Sequence, residues 1–239
     1  MPSISTPSKI AGTHAHGAEV VFSGSTSVER EAVVSDIQAK TDAILVPPYD
    51  DFNIICGQGT TGLELEEQYR DIVKNPGKTL NAVITPIGGG GLNAGVATFF
   101  ADKPATRVFG AEPSFEGADD CRQGLQAGER VPAVKTLTIA DGLRTPVGLR
   151  NWEVISDSSK VAGVFAVTEE QIKAAMRLVL ERMKVVVEPS AVVGLAVCLY
   201  NEEFRRRVAT EAGEESWDVG IVFSGGNTTV EAIGKLYSS

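Results

Sequence analysis

Four consecutive glycines stand between an apolar, β-branched run and a helix-like segment in VITPIGGGGLNAGVATFF, residues 83–100. A strand, a glycine turn and a helix in this order present free backbone N–H groups and the positive end of a helix dipole, which together bind a phosphate. A plain strand-to-helix turn would need only one or two glycines. We therefore predict that residues 88–91 form an anion-binding turn.

A second glycine-rich turn, VFSGGNTTV at residues 222–230, also follows a strand-like run and opens a helix. The hydroxyl of Ser224 would project from the carboxyl end of that strand, where open α/β sheets bind their ligands. Glu188, in VVVEPSAVVGLAV at residues 185–197, adds a buried acid ahead of a proline. Two glycine turns and one buried acid favour a phosphorylated aromatic cofactor.

A dinucleotide site is the alternative, because Gly89, Gly91 and Ala94 fit the G-x-G-x-x-A fingerprint and Glu112 follows about twenty residues later. The position of the turn in mid-chain, the fourth glycine and the further carboxylates in PSFEGADDC after Glu112 all oppose it. The dinucleotide interpretation is therefore the weaker of the two.

Alternating strands and helices would position these residues. Six apolar runs predict strands, at residues 18–22, 43–46, 81–87, 107–112, 163–167 and 219–223. Their alternation with segments of helical period predicts an α/β fold, with a mostly parallel sheet flanked by helices. Residues 113–160 lack clear periodicity and are predicted to be rich in loops.

Two predicted helix starts carry capping-box patterns, Thr26 with Glu29 and Thr168 with Gln171. After the second, apolar residues recur at helical spacing, which predicts a buried stripe that is core rather than cofactor contact. Its members are Ile172, Ala175, Met176, Val179 and Met183.

The composition excludes several classes of protein. With 239 residues, 43% of them hydrophobic, the chain suits one large globular domain or one and a half. A net charge of -9 opposes nucleic-acid binding, and no apolar run approaches the roughly 18 residues of a membrane span. The three isolated cysteines indicate neither a disulfide framework nor a paired metal motif. We expect a soluble, cytoplasmic protein without nucleic-acid or membrane partners.

Eight stretches together resemble one known family. They are GAEVV (17–21), GQGTTGLEL (57–65), PIGGGGLNAG (86–95), AEPSFEGADDC (111–121), TIADGL (138–143), VTEEQI (167–172), ERMKVVVEPSA (181–191) and FSGGN (223–227). The resemblance is to the fold-type II pyridoxal-phosphate enzymes, in their serine racemase and serine/threonine dehydratase (ammonia-lyase) branch. It implies a tryptophan synthase β-like architecture, pyridoxal phosphate as cofactor, and a lyase or racemase acting on small serine- or threonine-like amino acids.

The resemblance also assigns roles to the two glycine turns. Ser224 would hydrogen-bond the pyridine nitrogen, and a neutral hydroxyl there leaves the ring unprotonated, which suits racemisation and β-elimination better than transamination. Backbone N–H groups of five residues would cradle the cofactor phosphate: Gly88, Gly89, Gly90, Gly91 and Leu92.

A divalent cation lies near the acidic loop in the eukaryotic racemases. The matching ligands in this sequence are the carboxylates of Glu112 and Asp120 and the backbone carbonyl of Ala118. Hard oxygen ligands suit Mg, with Ca or Mn as alternatives. The loop EPSFEGADDC is longer than the racemase pattern, and a solvated acidic loop without a metal is the other interpretation.

Catalysis in this family depends on a Schiff-base lysine in a motif like S-x-K-x-R-G, and no lysine of this sequence lies in such a motif. Because the resemblance begins almost at Met1, we expect an N-terminally truncated chain. Residues 1–48 would be a remnant of the small domain and residues 49–239 the large cofactor-binding domain. No catalytic residue is assigned, and we expect turnover to be impaired.

Three hypotheses follow. The chain is a truncated member of the racemase and dehydratase branch, a non-catalytic pseudoenzyme or regulatory subunit that keeps the phosphate turn, or a fold re-used for a lysine-independent reaction. Missing strands would expose pairing edges and apolar faces. We therefore expect a homo-oligomer, or pairing with another chain through the exposed edge.

Overall fold

The computed structural model describes residues 1–5, 7–24, 27–75 and 77–238. The chain divides into two compact units. The first consists of Met1–Pro47 with Asn227–Ser239, and the second of Pro48–Gly226. The predicted division into a small-domain remnant, residues 1–48, and a cofactor-binding domain, residues 49–239, stays a prediction.

A four-stranded sheet forms the centre of the second unit. Its strands are β1 (Ala82–Pro86), β2 (Arg107–Pro113), β3 (Gly163–Val167) and β4 (Val219–Ile221). They lie in the order β3-β2-β1-β4, and every neighbouring pair is parallel. All of β1 is buried, as expected for a parallel strand covered on both faces. The predicted mostly parallel α/β sheet is confirmed.

Ten α-helices lie in the described part of the chain. They are α1 (Pro7–Ala15), α2 (Ser27–Lys40), α3 (Phe52–Val73), α4 (Gly91–Phe100), α5 (Asp120–Ala127), α6 (Leu149–Ile155), α7 (Glu169–Leu178), α8 (Val193–Tyr200), α9 (Glu202–Ala212) and α10 (Val230–Leu236). Short 3-10 turns at Phe115–Gly117, Asp141–Leu143 and Pro189–Val192, and a π-helical turn at Val179–Met183, complete the regular structure.

The helices of the second unit cover both faces of the sheet. Val83 and Val108 belong to the apolar cluster that contains Ala94 and Ala97 of α4. Side chains alternate between the faces of a strand, and Ile84 accordingly lies beside Gly194 of α8. Helix α3 packs on the outside of α4, and α7 and α9 pack against α8.

The close packing of α3 on α4 depends on two glycines. A Cβ at Gly59 would lie 3.1 Å from the carbonyl oxygen of Gly95, and a Cβ at Gly95 would lie 2.5 Å from the carbonyl oxygen of Ile55. Because neither glycine carries a side chain, the two helix backbones come almost into contact. Helix α4, which follows the glycine turn, is therefore fixed in position by its close contact with α3.

The first unit has little buried surface in its described residues. No residue of α1 is buried, and Ile44, Leu45 and Val46 are 90%, 49% and 75% exposed. Its backbone contacts include a parallel bridge between Pro2 and Ser23.

Four of the six predicted strands are confirmed, and the two in the first unit are wrong. Residues 18–22 and 43–46 form no regular strand. A β-rich apolar sequence becomes a strand only when a neighbouring strand satisfies its backbone groups. Among the described residues, no such neighbour pairs with either segment.

The predicted start of α7 is confirmed. Thr168 Oγ1 accepts a hydrogen bond from the Gln171 N–H at 3.3 Å, and Gln171 Oε1 accepts one from the Thr168 N–H at 2.9 Å. The proposed capping box at Thr26 lies outside the described residues. Residues 113–160, predicted to be rich in loops, also contain α5 and α6.

The buried stripe after Thr168 is confirmed for four of its five members. Ile172, Ala175, Met176 and Val179 are fully buried, whereas Met183 is 54% exposed. Met183 is the last residue of the π-helical turn. A π-helical turn contains more residues than an α-helical turn, so it rotates the following side chains away from the core.

No described helix has both the length and the apolar character needed to cross a membrane. All three cysteines are free. Cys56 is exposed on α3, Cys121 is buried and Cys198 is partly buried.

Candidate functional site

The glycine turn connects the carboxyl end of β1 to α4, as predicted. Gly90 precedes the helix with a φ of 92°, a conformation that favours glycine. No side chain caps the helix at this position. The first N–H groups of an α-helix have no acceptor within the helix, so the amides at the start of α4 can bind an anion.

Packing within the protein also requires several of these glycines. A Cβ at Gly88 would lie 3.0 Å from the carbonyl oxygen of Gly142, and a Cβ at Gly90 would lie 3.0 Å from Cδ1 of Ile155. A Cβ at Gly89 would overlap the ring of Tyr49. Packing alone therefore requires more than the one or two glycines that we expected for a turn without a ligand. The evidence for an anion site is the uncapped helix start, not the number of glycines.

Asn93 fixes the first turn of α4 to the sheet. Its Nδ2 donates to Oγ1 of Thr85 at 2.8 Å and to the carbonyl oxygen of Phe109 at 3.0 Å. The side chain is fully buried, and its Oδ1 has no partner among the described residues. The position of α4 relative to β1 and β2 is thus set by hydrogen bonds as well as by packing.

The start of α6 and the residue before it bind the carbonyl oxygen of Gly89. The sequence predicted only a loop-rich region there. The Gly148 N–H donates to the Gly89 oxygen at 3.0 Å, and Asn151 Nδ2 donates to the same oxygen at 2.6 Å. Asp50 in turn accepts hydrogen bonds from the first turn of α6. Asp50, Gly148 and Asn151 were not among the site residues predicted from the sequence.

The second glycine turn follows β4. Ser224 is exposed within it. The Glu188 N–H donates to the carbonyl oxygen of Gly225 at 3.1 Å, and a Cβ at Gly225 would lie 2.6 Å from Oε1 of Glu188. Glu188 is partly buried beside this turn.

The sheet brings the two turns to the same edge. Strands β1 and β4 are parallel neighbours, with Ala82 paired to Val219 and Ile84 to Ile221. Their carboxyl ends therefore lie side by side, which is where open α/β sheets bind ligands. The predicted phosphate residues and Ser224 leave the sheet from adjacent strands.

The carboxylates of Glu112 and Asp120, at the two ends of the acidic loop, are buried, whereas Glu116 between them is exposed. Glu112 and Asp120 are 0% and 3% exposed, so the solvated-loop interpretation does not hold for these two residues. The Glu112 carboxylate accepts hydrogen bonds from the backbone N–H groups of Cys121 at 3.0 Å and Arg122 at 2.9 Å. Because the Glu112 carboxylate binds these amides at the start of α5, it does not serve as the acid that would bind the ribose of a dinucleotide.

Both carboxylates have raised pKa values, chiefly because they are buried. Burial, and then the charge of Asp120, raise the pKa of Glu112 well above its ordinary value. Burial raises the pKa of Asp120 to about 6, against hydrogen bonding from the Val147 N–H. Ala118 between them in sequence is also buried. In the described part of the chain, no group of three or more His, Cys, Asp or Glu side chains could hold a metal.

A parallel α/β sheet with glycine turns at the carboxyl ends of neighbouring strands has the architecture of the open α/β proteins, which bind their ligands at those ends. The chain matches the family described as "Pyridoxal-phosphate dependent enzyme" over residues 1–225. It belongs to this family.

Relatives and solved structures agree with that assignment. A serine racemase from Rattus norvegicus is 39% identical over 235 residues, which cover 98% of this chain and 65% of the relative. The structure of maize serine racemase has a TM-score of 0.84 at 37% identity, with 98% of this chain and 67% of that chain covered. The crystal structure of a threonine deaminase from T.th. has a TM-score of 0.81 at 39% identity, with 96% and 69% covered. The architecture is that of the fold-type II enzymes.

The chain spans about 65% of the length of the rat serine racemase that it matches.

Proposed function

We propose that the chain binds pyridoxal phosphate at the carboxyl ends of the neighbouring strands β1 and β4. The observation that carries this proposal is the uncapped start of α4 beside the turn that contains Ser224, on neighbouring parallel strands. The amides of residues 88–92 would bind the phosphate by hydrogen bonds and by the helix dipole. The cofactor, when bound, would supply an electron sink for chemistry at the α-carbon of an amino acid.

Ser224 would orient the ring of the cofactor. Its hydroxyl can both donate and accept a hydrogen bond and carries no charge, so it would bind the pyridine nitrogen without protonating it. Glu188 lies beside the same turn. Its contact with Gly225 would hold the backbone on which Ser224 is placed.

The reaction class that we infer is racemisation or ammonia elimination at serine- or threonine-like amino acids. Relatives and structural neighbours of the chain are named serine racemase and threonine deaminase. Turnover by this sequence alone would be impaired, because no lysine lies in the motif that binds the cofactor covalently. Lys78, Lys103 and Lys160 are instead in ion pairs.

A divalent cation at the acidic loop belongs to the same proposal. Glu112 and Asp120 are two buried carboxylates that repel each other when both are charged. Mg²⁺ prefers such oxygen ligands, and Ca²⁺ or Mn²⁺ would use them too. Each oxygen of the Glu112 carboxylate accepts one hydrogen bond and so retains a lone pair that could bind the cation. The carbonyl of Ala118 and water would complete the ligand set.

The test is equilibrium dialysis of the purified chain against pyridoxal phosphate, with pyridoxal as the control that lacks the phosphate. Borohydride reduction and mass mapping then locate any covalent adduct. We expect phosphate-dependent binding without a reducible lysine adduct. Equal affinity for the two compounds would refute the phosphate site. An adduct on a single lysine would refute the impairment, and turnover of serine, threonine and hydroxyaspartate would then be measured.

A non-catalytic subunit that binds another chain is the second candidate function. Strand β4 forms one edge of the sheet. Cavities of about 350 and 480 Å³ are lined by its residues, together with apolar side chains of α3 in the first and of α9 in the second. An open strand edge between apolar grooves favours pairing with a further strand. Light scattering at increasing concentration tests this candidate, and a constant monomer mass would count against self-pairing.

A further inference from the structure

We propose that Asp50 is a positioning residue for the phosphate turn: through the first turn of α6 it fixes the carbonyl of Gly89 and so orients the Gly90 amide toward the anion. This inference rests on the proposed phosphate site and adds to it a residue far away in sequence. Two consecutive contacts and one step of peptide geometry carry it.

The first contact joins Asp50 to α6. Its Oδ2 accepts a hydrogen bond from the Leu149 N–H at 3.0 Å, and its Oδ1 accepts from the N–H groups of Arg150 at 2.7 Å and Asn151 at 3.3 Å. One carboxylate thus binds three amides at the positive end of the helix, an arrangement that fixes where α6 begins.

The backbone of Asp50 is strained in making this contact. Its φ is 62°, in the left-handed region that few residues other than glycine adopt, although aspartate tolerates it better than most. Such a conformation persists only where the surrounding contacts compensate for its cost. The three hydrogen bonds to α6 are the compensation.

The second contact joins α6 to the phosphate turn. The Gly148 N–H and Asn151 Nδ2 both donate to the carbonyl oxygen of Gly89, at 3.0 Å and 2.6 Å. Gly148 immediately precedes α6, and Asn151 lies in its first turn. Any shift in the start of α6 therefore moves both donors of this carbonyl.

The third step follows from peptide geometry. The peptide bond between Gly89 and Gly90 is planar and trans, so its C=O and N–H point in opposite directions. With the carbonyl held toward α6, the Gly90 N–H points away from α6. The conformation that frees this amide for an anion is thus set by Asp50, through α6.

The contact between Asp50 and α6 also requires a residue without a side chain at position 148. A Cβ at Gly148 would overlap the carboxyl group of Asp50. The backbone at Gly148 has φ −67° and ψ 162°, which alanine adopts without strain. Gly148→Ala would therefore displace the Asp50 carboxylate while it leaves the local backbone conformation allowed.

The experiment compares binding of two probes by calorimetry, inorganic phosphate and pyridoxamine 5′-phosphate, which forms no covalent bond with a lysine. The variants are Asp50→Ala, Asp50→Asn and Gly148→Ala. The matched control is Asp51→Ala, because Asp51 caps a different helix, α3, by accepting from the Asn53 N–H at 2.8 Å. Thermal unfolding of every variant is recorded alongside.

We expect Asp50→Ala and Gly148→Ala to bind both probes roughly tenfold more weakly, the loss that corresponds to one misaligned charge-assisted hydrogen bond. Asp50→Asn keeps an oxygen acceptor and tolerates the left-handed backbone, so it should recover part of the affinity. Asp51→Ala should lower the midpoint of thermal unfolding and leave both affinities unchanged.

Wild-type affinity in Gly148→Ala and in folded Asp50→Ala would overturn the inference and leave Asp50 as a helix cap alone. If Asp50→Ala does not fold, Gly148→Ala and Asp50→Asn decide the question. Failure of the unaltered protein to bind either probe would instead refute the proposed phosphate site, and this inference with it.

Discussion

Asp120 carries a proton in the folded protein at a pH where it would be ionised in the unfolded chain. Burial raises its pKa from 3.8 to about 6. The folded state therefore binds more protons than the unfolded state between these values, so the stability from this group is complete below about pH 4 and is lost as pH rises to about 6. Two units of pKa correspond to at most about 3 kcal/mol.

Replacement of Asp120 by asparagine should remove that dependence. In the presence of a chelator, which keeps cations from the acidic loop, Asp120→Asn should lose less stability than the unaltered protein between pH 4 and pH 6. Glu112 shifts in the same direction and will preserve part of the slope. The measurement is the free energy of urea unfolding at each pH.

Asp157 provides the matched control. Hydrogen bonds from Ser159 and Lys160 lower its pKa to about 2, so its contribution is lost only as pH falls below its unfolded value of 3.8. Asp157→Asn should leave the slope between pH 4 and pH 6 unchanged. An identical slope in Asp120→Asn and the unaltered chain would contradict the assignment to Asp120.

Local sequence identifies the glycine turn that we propose to bind phosphate, but it does not identify the residues that hold this turn in place. A glycine run after a strand is visible in a short window, and so is Ser224 after β4. Asp50 binds amides that lie 99 to 101 positions away along the chain. No periodicity or spacing predicts such a contact, although an aspartate between a proline pair and a helix start is one signal that could have drawn attention to it.

At the scale of the element, α7 tests how much a capping box contributes. Thr168→Ala should lower the free energy of unfolding by about 1 kcal/mol, because the Gln171 N–H loses its acceptor. Thr168→Ser keeps the hydroxyl and should retain most of the stability. Urea denaturation of the two variants measures the difference, and equal losses would mean that the hydroxyl is not the source.

Strand and helix predictions failed for different physical reasons. Residues 18–22 and 43–46 have the composition of strands, yet in the described chain no sheet neighbour pairs with them, and a strand is a property of pairs. The five-residue spacing of the π-helical turn is not encoded in a simple apolar period, and Met183 is exposed for that reason. Helices α5 and α6 were missed because they are only eight and seven residues long.

At the scale of the whole molecule, exposed apolar side chains predict association. Ile44 and Val46 are 90% and 75% exposed in a segment without regular secondary structure. The double variant Ile44→Lys, Val46→Lys should bring the mass measured by light scattering toward the monomer value of 25.2 kDa. Leu137→Lys, at a single leucine that is 73% exposed elsewhere, should not. A concentration-independent monomer before any change would contradict the prediction.

The three free cysteines differ in exposure, so a thiol reagent can modify the folded protein at a single position. Burial raises the pKa of the Cys121 thiol, and it raises that of Cys198 to about 12, so neither forms the reactive thiolate near neutral pH. Cys56 is exposed on α3. A maleimide should therefore label one site per folded chain, and a dye attached there would report on the helix packed behind the phosphate turn.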